Sequence, residues 1–122
     1  MRQTIVLARD LVAGETGTLS RKITTGGCYL RSMKICFDTG AAHKVNVRPY
    51  IDRHGEEQED LVMYAQEAGA KHVIDGEGGL WMDFPLGRVM ETDESICVDF
   101  TNSDLAAHVV TAHFFVEKPG EE

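Results

Sequence analysis

The stretch Glu94-Ser-Ile-Cys-Val-Asp-Phe-Thr-Asn102 decides the fold class of this 122-residue chain. Its residues Ile96, Val98 and Phe100 fall at every second position and so share one face of an extended chain. The residues between them, Cys97, Asp99 and Thr101, share the other face. This alternation predicts a β-strand with one buried face.

Neighbouring segments repeat the pattern. Residues His43 to Asp52 alternate, with Val45, Val47 and Ile51 on one side. In Tyr29 to Phe37 the predicted inward residues are Tyr29, Met33, Ile35 and Phe37, with Arg31 as an exception. His108 to Glu117 is apolar on both faces, which is typical of a central strand. Weaker strands are predicted at Gln3 to Ala8, Thr18 to Ile23 and Leu80 to Leu86.

Glycine-containing turns separate these segments, and Gly40 is expected at positive φ. The one ambiguous segment is Leu61 to Ala70, for which we predict a strand as far as Tyr64, followed by a turn or a short helix. The sequence therefore predicts an all-β domain, a two-sheet sandwich with at most one short helix. Jelly-roll is the preferred strand order.

Composition restricts the class of partner. Twenty acidic residues against twelve basic ones give a formal net charge of −8, which argues against nucleic acid and against an anionic membrane surface. The apolar run near the N-terminus, Ile5 to Ala8, is too short for a signal peptide or a membrane span. The length suits a single domain over residues 1–122, with a possible N-terminal arm at 1–8 as an alternative to an ordinary first strand.

No metal or cofactor site is predicted. The three cysteines, Cys28, Cys36 and Cys97, lack metal-ligand spacing, so we expect small buried side chains in a reducing compartment. The strand period places His108 and His113 on opposite faces. The acidic loop containing Asp75 and Glu77, with nearby Asp83, fits a solvated loop better than a calcium site.

One motif suggests catalysis. Ile35-Cys-Phe-Asp-Thr-Gly-Ala41 resembles the active-site loop of retroviral-type aspartic proteases, which implies Asp38 as one carboxylate of a catalytic pair. Pro85-Leu-Gly-Arg88 is similar to a later element of that family. Cys36 and Lys44 depart from its pattern, and more than thirty residues follow Arg88. We therefore interpret Asp38 as a turn residue that accepts bonds from local amides, and we expect no catalytic residues and no enzyme.

A second alternative is a carbohydrate-binding sandwich. Trp81 alternates away from Leu80, Met82 and Phe84, so it is either a half-buried strand residue, which we prefer, or an exposed platform for a sugar ring. The loop Asp75 to Gly79 would lie beside it.

Three segments carry a further resemblance: Tyr29 to Asp38, Met90 to Asp104 and His108 to Val116. Their pattern, a strand ending in an acidic turn, an acidic turn into a core strand and an apolar final strand, is similar to small jelly-roll structural proteins of tailed phages. The resemblance covers roughly residues 27–117 and includes no diagnostic motif. It implies a non-enzymatic decoration or cement subunit located in the virion, and in the host cytoplasm before assembly.

The partners implied are the major capsid protein or other virion subunits, together with copies of the same chain, a trimer being favoured. The expected contacts are the N-terminal segment and exposed loops, among them 101–107. The predicted partner-binding residues are Gln3, Thr4, Ile5, Asp75, Glu77, Trp81, Asn102 and Asp104.

Overall fold

The computed structural model describes residues 2–23, 27–42, 44–53, 57–61, 74–75, 78–79 and 81–117. Within these ranges the chain forms β-strands and no helix. The strands are β1 (Arg2–Leu11), β2 (Thr16–Lys22), β3 (Cys28–Phe37), β4 (Val45–Arg53), β5 (Glu57–Asp60), β6 (Ile74–Asp75), β7 (Trp81–Met90), β8 (Glu94–Asn102) and β9 (His108–Glu117).

The strands form two antiparallel sheets. Sheet A has the order β1-β9-β3-β7, and sheet B has the order β2-β8-β4-β5, with β6 also paired to β4. From β1 to β4, and again from β7 to β9, each connection passes from one sheet to the other, which is the jelly-roll arrangement. The predicted all-β sandwich is confirmed, with a jelly-roll order of strands.

The core lies between the sheets and is filled by the alternating residues that the sequence identified. Phe100 of β8, Phe37 of β3 and Phe114 of β9 are at most 1% exposed. β8 has the predicted bounds and the predicted faces, since Ile96, Val98 and Phe100 are all buried in the core. β9 lies between β1 and β3, as its two apolar faces indicated.

The predicted direction of Tyr29 was wrong. Strand β3 shifts register between Leu30 and Ser32 against both of its neighbours. Against β7 the extra residue lies on β7, whereas against β9 the extra residue is Arg31, which forms a β-bulge. The extra residue reverses the alternation, so Leu30 is buried and Tyr29 is exposed on the outer face. Arg31, the exception in the sequence pattern, marks the position of this bulge.

The two shortest strands of sheet B were not predicted. β5 (Glu57–Asp60) is acidic, and it forms by pairing with the end of β4 rather than by its own alternation. β6 (Ile74–Asp75) pairs with Asn46 and Val47 near the start of β4. Leu61 is a buried turn residue after β5. The rest of the ambiguous segment lies outside the described residues.

The N-terminal segment belongs to the sandwich itself. Strand β1 pairs with β9 from Arg2↔Glu117 to Leu11↔His108, so the alternative of an ordinary first strand replaces that of a free arm. Ile5 and Leu7 of β1 enter the core. The ten-residue pairing has a simple cause, since an isolated strand leaves its backbone amides and carbonyls without protein partners.

A buried ion-pair network joins β7 to sheet B. The Arg88 guanidinium donates through Nη1 and Nη2 to the two carboxylate oxygens of Glu94, each at 2.9 Å, and through Nε to Glu59 at 2.7 Å. The Glu94 side chain is 1% exposed, and Arg53 Nε lies 3.2 Å from it. These bonds lower the pKa of Glu94, with the Arg88 hydrogen bond as the largest cause.

Candidate docking surfaces

Three connections meet at one end of the sandwich, which we term the loop end: residues 12–15, 38–42 and 103–107. They follow β1, β3 and β8. The pair Gly78–Gly79 packs against the second of them, since Gly79 N–H donates to Phe37 O at 2.8 Å. A Cβ at Gly78 would lie 1.9 Å from Asp38 O, so this close approach requires glycine.

His108 links two of these connections. Its Nδ1 lies 2.7 Å from Asp38 Oδ1, and its Nε2 lies 2.7 Å from Asp104 Oδ2. Asp38 also accepts the Val109 N–H at 3.0 Å. The imidazole is 5% exposed, and both of its nitrogens face carboxylates, so the imidazolium satisfies both bonds.

The charge of His108 follows from this geometry. Hydrogen bonding to Asp104 raises the pKa of His108 above its ordinary 6.5, Asp38 raises it further, and burial opposes both. The same bond lowers the pKa of Asp104. Within the described part of the chain, Asp104 also pairs with Lys44, whose Nζ lies 3.7 Å from Asp104 Oδ1.

This arrangement predicts a pH-dependent stability. Because the folded-state pKa of His108 is raised, its contribution is fully present below the unfolded value of 6.5 and is lost as the pH rises through the folded value. We expect the melting temperature to fall as the pH rises from 6.5 through the folded-state pKa of His108, and to fall less in His108→Gln. Differential scanning fluorimetry across a pH series measures it.

The matched control for this series is Ser20→Gln, which introduces the same residue at an exposed position of β2 in sheet B and should keep the wild-type pH dependence. An unchanged pH slope in His108→Gln would show that the imidazolium contributes nothing.

Asn102 links the third connection. It is 1% exposed, and its Nδ2 donates to Leu11 O at 3.3 Å, Val12 O at 3.1 Å and Ala106 O at 2.9 Å. Its Oδ1 accepts the Asp104 N–H at 2.9 Å. One buried side chain therefore holds both the 12–15 and the 103–107 connections.

Each of these two connections carries one large apolar side chain that is exposed to solvent. Leu105 is 96% exposed and Val12 is 63% exposed. The Glu15 carboxylate holds the connection 12–15 in place. Its Oε1 accepts the Val12 N–H at 2.9 Å, and its Oε2 pairs with Arg9 at 2.8 Å. Polar bonds beneath the loops thus present apolar side chains to solvent in a fixed arrangement.

The two outer faces of the sandwich differ. Five of the seven large apolar side chains that are exposed in the described residues lie on the outer face of sheet A. These are Val6, Tyr29, Trp81, Val89 and Val109. The outer face of sheet B is polar: Thr18, Tyr50 and Arg48 surround Asp99, at 2.7, 3.3 and 3.5 Å.

Aromatic rings cross the outer face of sheet A. The centroid of Trp81, which is 49% exposed, lies 4.7 Å from that of His113, and His113 lies 6.4 Å from Phe115 in an edge-to-face arrangement. Lys34 Nζ lies 5.9 Å from the Phe115 centroid. Beside Phe115 is a shallow groove of about 390 Å³, lined by Gln3, Thr4 and Arg31 among others.

The predicted partner-binding residues divide between these surfaces. Asn102 and Asp104 come together at the loop end, where Asn102 is buried and bonds to the 12–15 and 103–107 connections. Trp81 lies on the outer face of sheet A, and Gln3 and Thr4 border the groove at the far end of β1. Ile5 is 3% exposed and belongs to the core. Asp75 is in β6, and Glu77 lies outside the described residues.

The roles of His108 and Leu105 at the loop end were not predicted from the sequence. The sequence feature that could have indicated His108 was its place at the start of β9, because the turn after β3 is acidic. The pairing of β9 with β3, which brings the two together, could not be predicted from the sequence. The Asp38 carboxylate accepts from Val109 of β9, while the expected local bond is made by the backbone carbonyl of Asp38, which accepts the Ala41 N–H at 3.3 Å. Gly40 has the expected positive φ, of 94°. Arg88 takes part in the buried ion pairs described above.

The cysteines were mostly interpreted correctly. Cys28 and Cys97 are buried, and Cys36 is half-buried on the outer face of sheet A. Burial raises the pKa of the Cys97 thiol, which disfavours the reactive thiolate. Among the described residues, no three His, Cys, Asp or Glu side chains are arranged to hold a metal ion. The same part of the chain contains no helix long and apolar enough to cross a membrane.

No protein-family model and no curated protein matches this sequence, but solved structures match the fold. TmCBM61, in complex with β-1,4-galactotriose, aligns with TM-score 0.58 and 11% identity over 93% of this chain and 70% of its own. A chain of the cyanophage Pam1 capsid asymmetric unit aligns with TM-score 0.55 and 7% identity over 97% and 85%. The Yersinia pseudotuberculosis-derived mitogen aligns with TM-score 0.55 and 6% identity over 100% and 91%.

At these identities the likeness establishes the fold alone. The chain has a jelly-roll-like β-sandwich of the kind found in viral capsid proteins and in carbohydrate-binding modules. The resemblance to viral jelly-roll proteins is confirmed at that level, and none of these three structures is described as a decoration protein.

Proposed function

We propose that this protein is a non-enzymatic virion subunit, a decoration or cement protein that binds and stabilises a phage head through protein–protein contacts. The observation that carries the proposal is the loop end, where Leu105 is 96% exposed in a connection held by Asn102 and His108. Burial of a leucine side chain contributes about 1.5–3 kcal/mol. A loop that is already ordered loses little conformational entropy on binding, so most of that contribution remains as affinity.

Charge and size support the same function. A net charge of −8 keeps a subunit soluble before assembly and favours a protein partner over a phosphate backbone. The matched Pam1 chain is similar in length to this one, because the match covers most of both. A capsid therefore contains a chain of about this size and fold. In this proposal the protein acts in the virion and resides in the host cytoplasm before assembly.

The test is co-sedimentation with heads of the phage whose genome carries this sequence. We expect Leu105→Asp to weaken head binding by about 10- to 100-fold, since it places a charge where an apolar anchor was. The matched control is Ser20→Asp, which adds the same charge at an exposed position on sheet B and should bind as the wild type does. Equal binding by both variants, or no binding by the wild type, would contradict the proposal.

A second candidate is a carbohydrate-binding module, favoured by the ring cluster of Trp81, His113 and Phe115. Exposed aromatic faces offer flat apolar surfaces for stacking. Trp81 is the one tryptophan of the chain, so its fluorescence reports directly on this surface. A saturable change on titration with a panel of soluble oligosaccharides, lost in Phe115→Ala, would favour this candidate over the first.

A further inference from the structure

We propose that the outer face of sheet A binds a second copy of this chain. The inference deepens the proposed function by assigning the interface between decoration subunits, while the loop end contacts the head. The observations that support this interface do not involve the loop end, and the experiment that tests it requires no phage head.

The first observation is the distribution of apolar surface. The five exposed side chains lie on all four strands: Val6 on β1, Val109 on β9, Tyr29 on β3, and Trp81 and Val89 on β7, each 41–51% exposed. Val6 lies opposite His113 in the pairing of β1 with β9, and the ring of His113 contacts that of Trp81, so these side chains form a contiguous surface. Contiguous apolar surface on a soluble protein marks an interaction site.

The second observation is charge, and it favours a second copy over other partners. Two chains of net charge −8 repel each other, so self-association requires a face of low net charge. The described charged side chains here are two cations, Arg31 and Lys34, against Asp10, Asp83 and Glu117. Arg31 pairs with Glu117, and Lys34 Nζ lies 3.9 Å from Asp83.

These pairs also lower the penalty of burial. A charge that enters an interface without a counter-charge is strongly destabilising. Here four of the five charges already have a partner on the same face, within the same chain. An identical face can therefore cover them without supplying new counter-charges.

The third observation is size. Strands of ten residues at about 3.3 Å per residue, with four strands about 4.8 Å apart, give a face of about 33 by 19 Å. That is about 600 Å², near the roughly 800 Å² that each partner contributes to a standard interface. The rings of Trp81, His113 and Phe115 lie on this face, and buried aromatic side chains are the usual anchors of such contacts.

The test measures mass in solution by sedimentation equilibrium. We expect the wild type to be oligomeric at about 0.1 mM, far above the Kd of a specific homo-oligomer. The double variant Val6→Lys/Val89→Lys should be a folded monomer, with self-affinity reduced by about 100-fold or more. Both positions are exposed on edge strands of sheet A, so a β-type circular dichroism spectrum should be kept.

The matched control is Thr16→Lys/Ser20→Lys, which adds the same two charges at exposed positions of β2 in sheet B. It should remain oligomeric. A monomeric wild type, an oligomer that persists in the sheet A variant, or equal dissociation of both variants would overturn the proposal. So would a monomer that binds oligosaccharide through Trp81.

The failures of the two proposals are distinguishable. Leu105→Asp should remain oligomeric while losing the phage head, so an oligomer that never binds heads contradicts only the proposed function. A monomer that binds heads contradicts only the self-association proposed for sheet A.

Discussion

Replacing Arg88 by leucine is expected to lower the free energy of unfolding by about 3–5 kcal/mol, the usual effect of removing one partner of a buried ion pair. The side chain is 10% exposed and binds Glu94, which is 1% exposed. Without the guanidinium, Arg53, at 3.2 Å, is the one cation among the described residues that still pairs with that carboxylate. Urea denaturation followed by Trp81 fluorescence measures the change.

The effect should depend on pH. The folded-state pKa of Glu94 is lowered from 4.5, so the ion pair stabilises the fold fully above that value and loses its contribution as the pH falls through the folded value. Wild type and Arg88→Leu should therefore converge in stability in acid. Below 4.5 the carboxylate becomes protonated first in the unfolded chain, which removes the difference.

The control for Arg88 is Lys22→Leu, which removes an exposed pair with Asp93 at 3.4 Å. Exposed pairs contribute about 0–1 kcal/mol, so this variant should be close to the wild type. If Arg88→Leu were equally mild, Glu94 would have to be solvated in a way that its 1% exposure contradicts.

Replacing Asn102 by alanine is expected to cost about 2–3 kcal/mol, because a buried polar group left without a partner costs about 1–3 kcal/mol. The amide serves three carbonyls and the Asp104 N–H. The variant should also release residues 103–107, so their backbone amides should exchange faster with deuterium than in the wild type.

Ser103→Ala is the control for Asn102, since Ser103 is the exposed neighbour in the same connection. It should leave stability and exchange unchanged. In the proposed function, Asn102→Ala should also weaken head binding, because Leu105 would have to be ordered on contact. Unchanged exchange at 103–107 would mean that Asn102 does not hold the loop.

Most strands could be predicted from the sequence because the alternation of apolar and polar residues that produces them is local. A period of two in β8 and β4 specifies which side chains leave water, and that alternation is present in the chain before any partner strand is known. The two failures in the strands have physical reasons as well. A bulge at Arg31 reverses the faces on one side of it, and β5 exists because β4 offers it a pairing edge.

The candidate docking surfaces could be predicted from the sequence only in part. Asn102, Asp104 and Trp81 were identified as residue types that suit contacts, but their roles depend on neighbours far along the chain. Asn102 bonds to Leu11 across 91 residues, and His108 to Asp38 across 70. The exposure of Leu105 depends on a loop held by those bonds.

By itself, the sequence determined an all-β sandwich, an acidic protein, and most of the side chains that fill its core, because alternation and composition are properties of the chain alone. The tertiary structure decided which exposed residues act together. Strand pairing brings the connection that contains Leu105 beside the one that contains Val12, and it places His108 between two carboxylates. It also gathers Val6, Trp81 and Val89 on one face, because an antiparallel sheet orders its strands by hydrogen bonding, without regard to their distance in sequence.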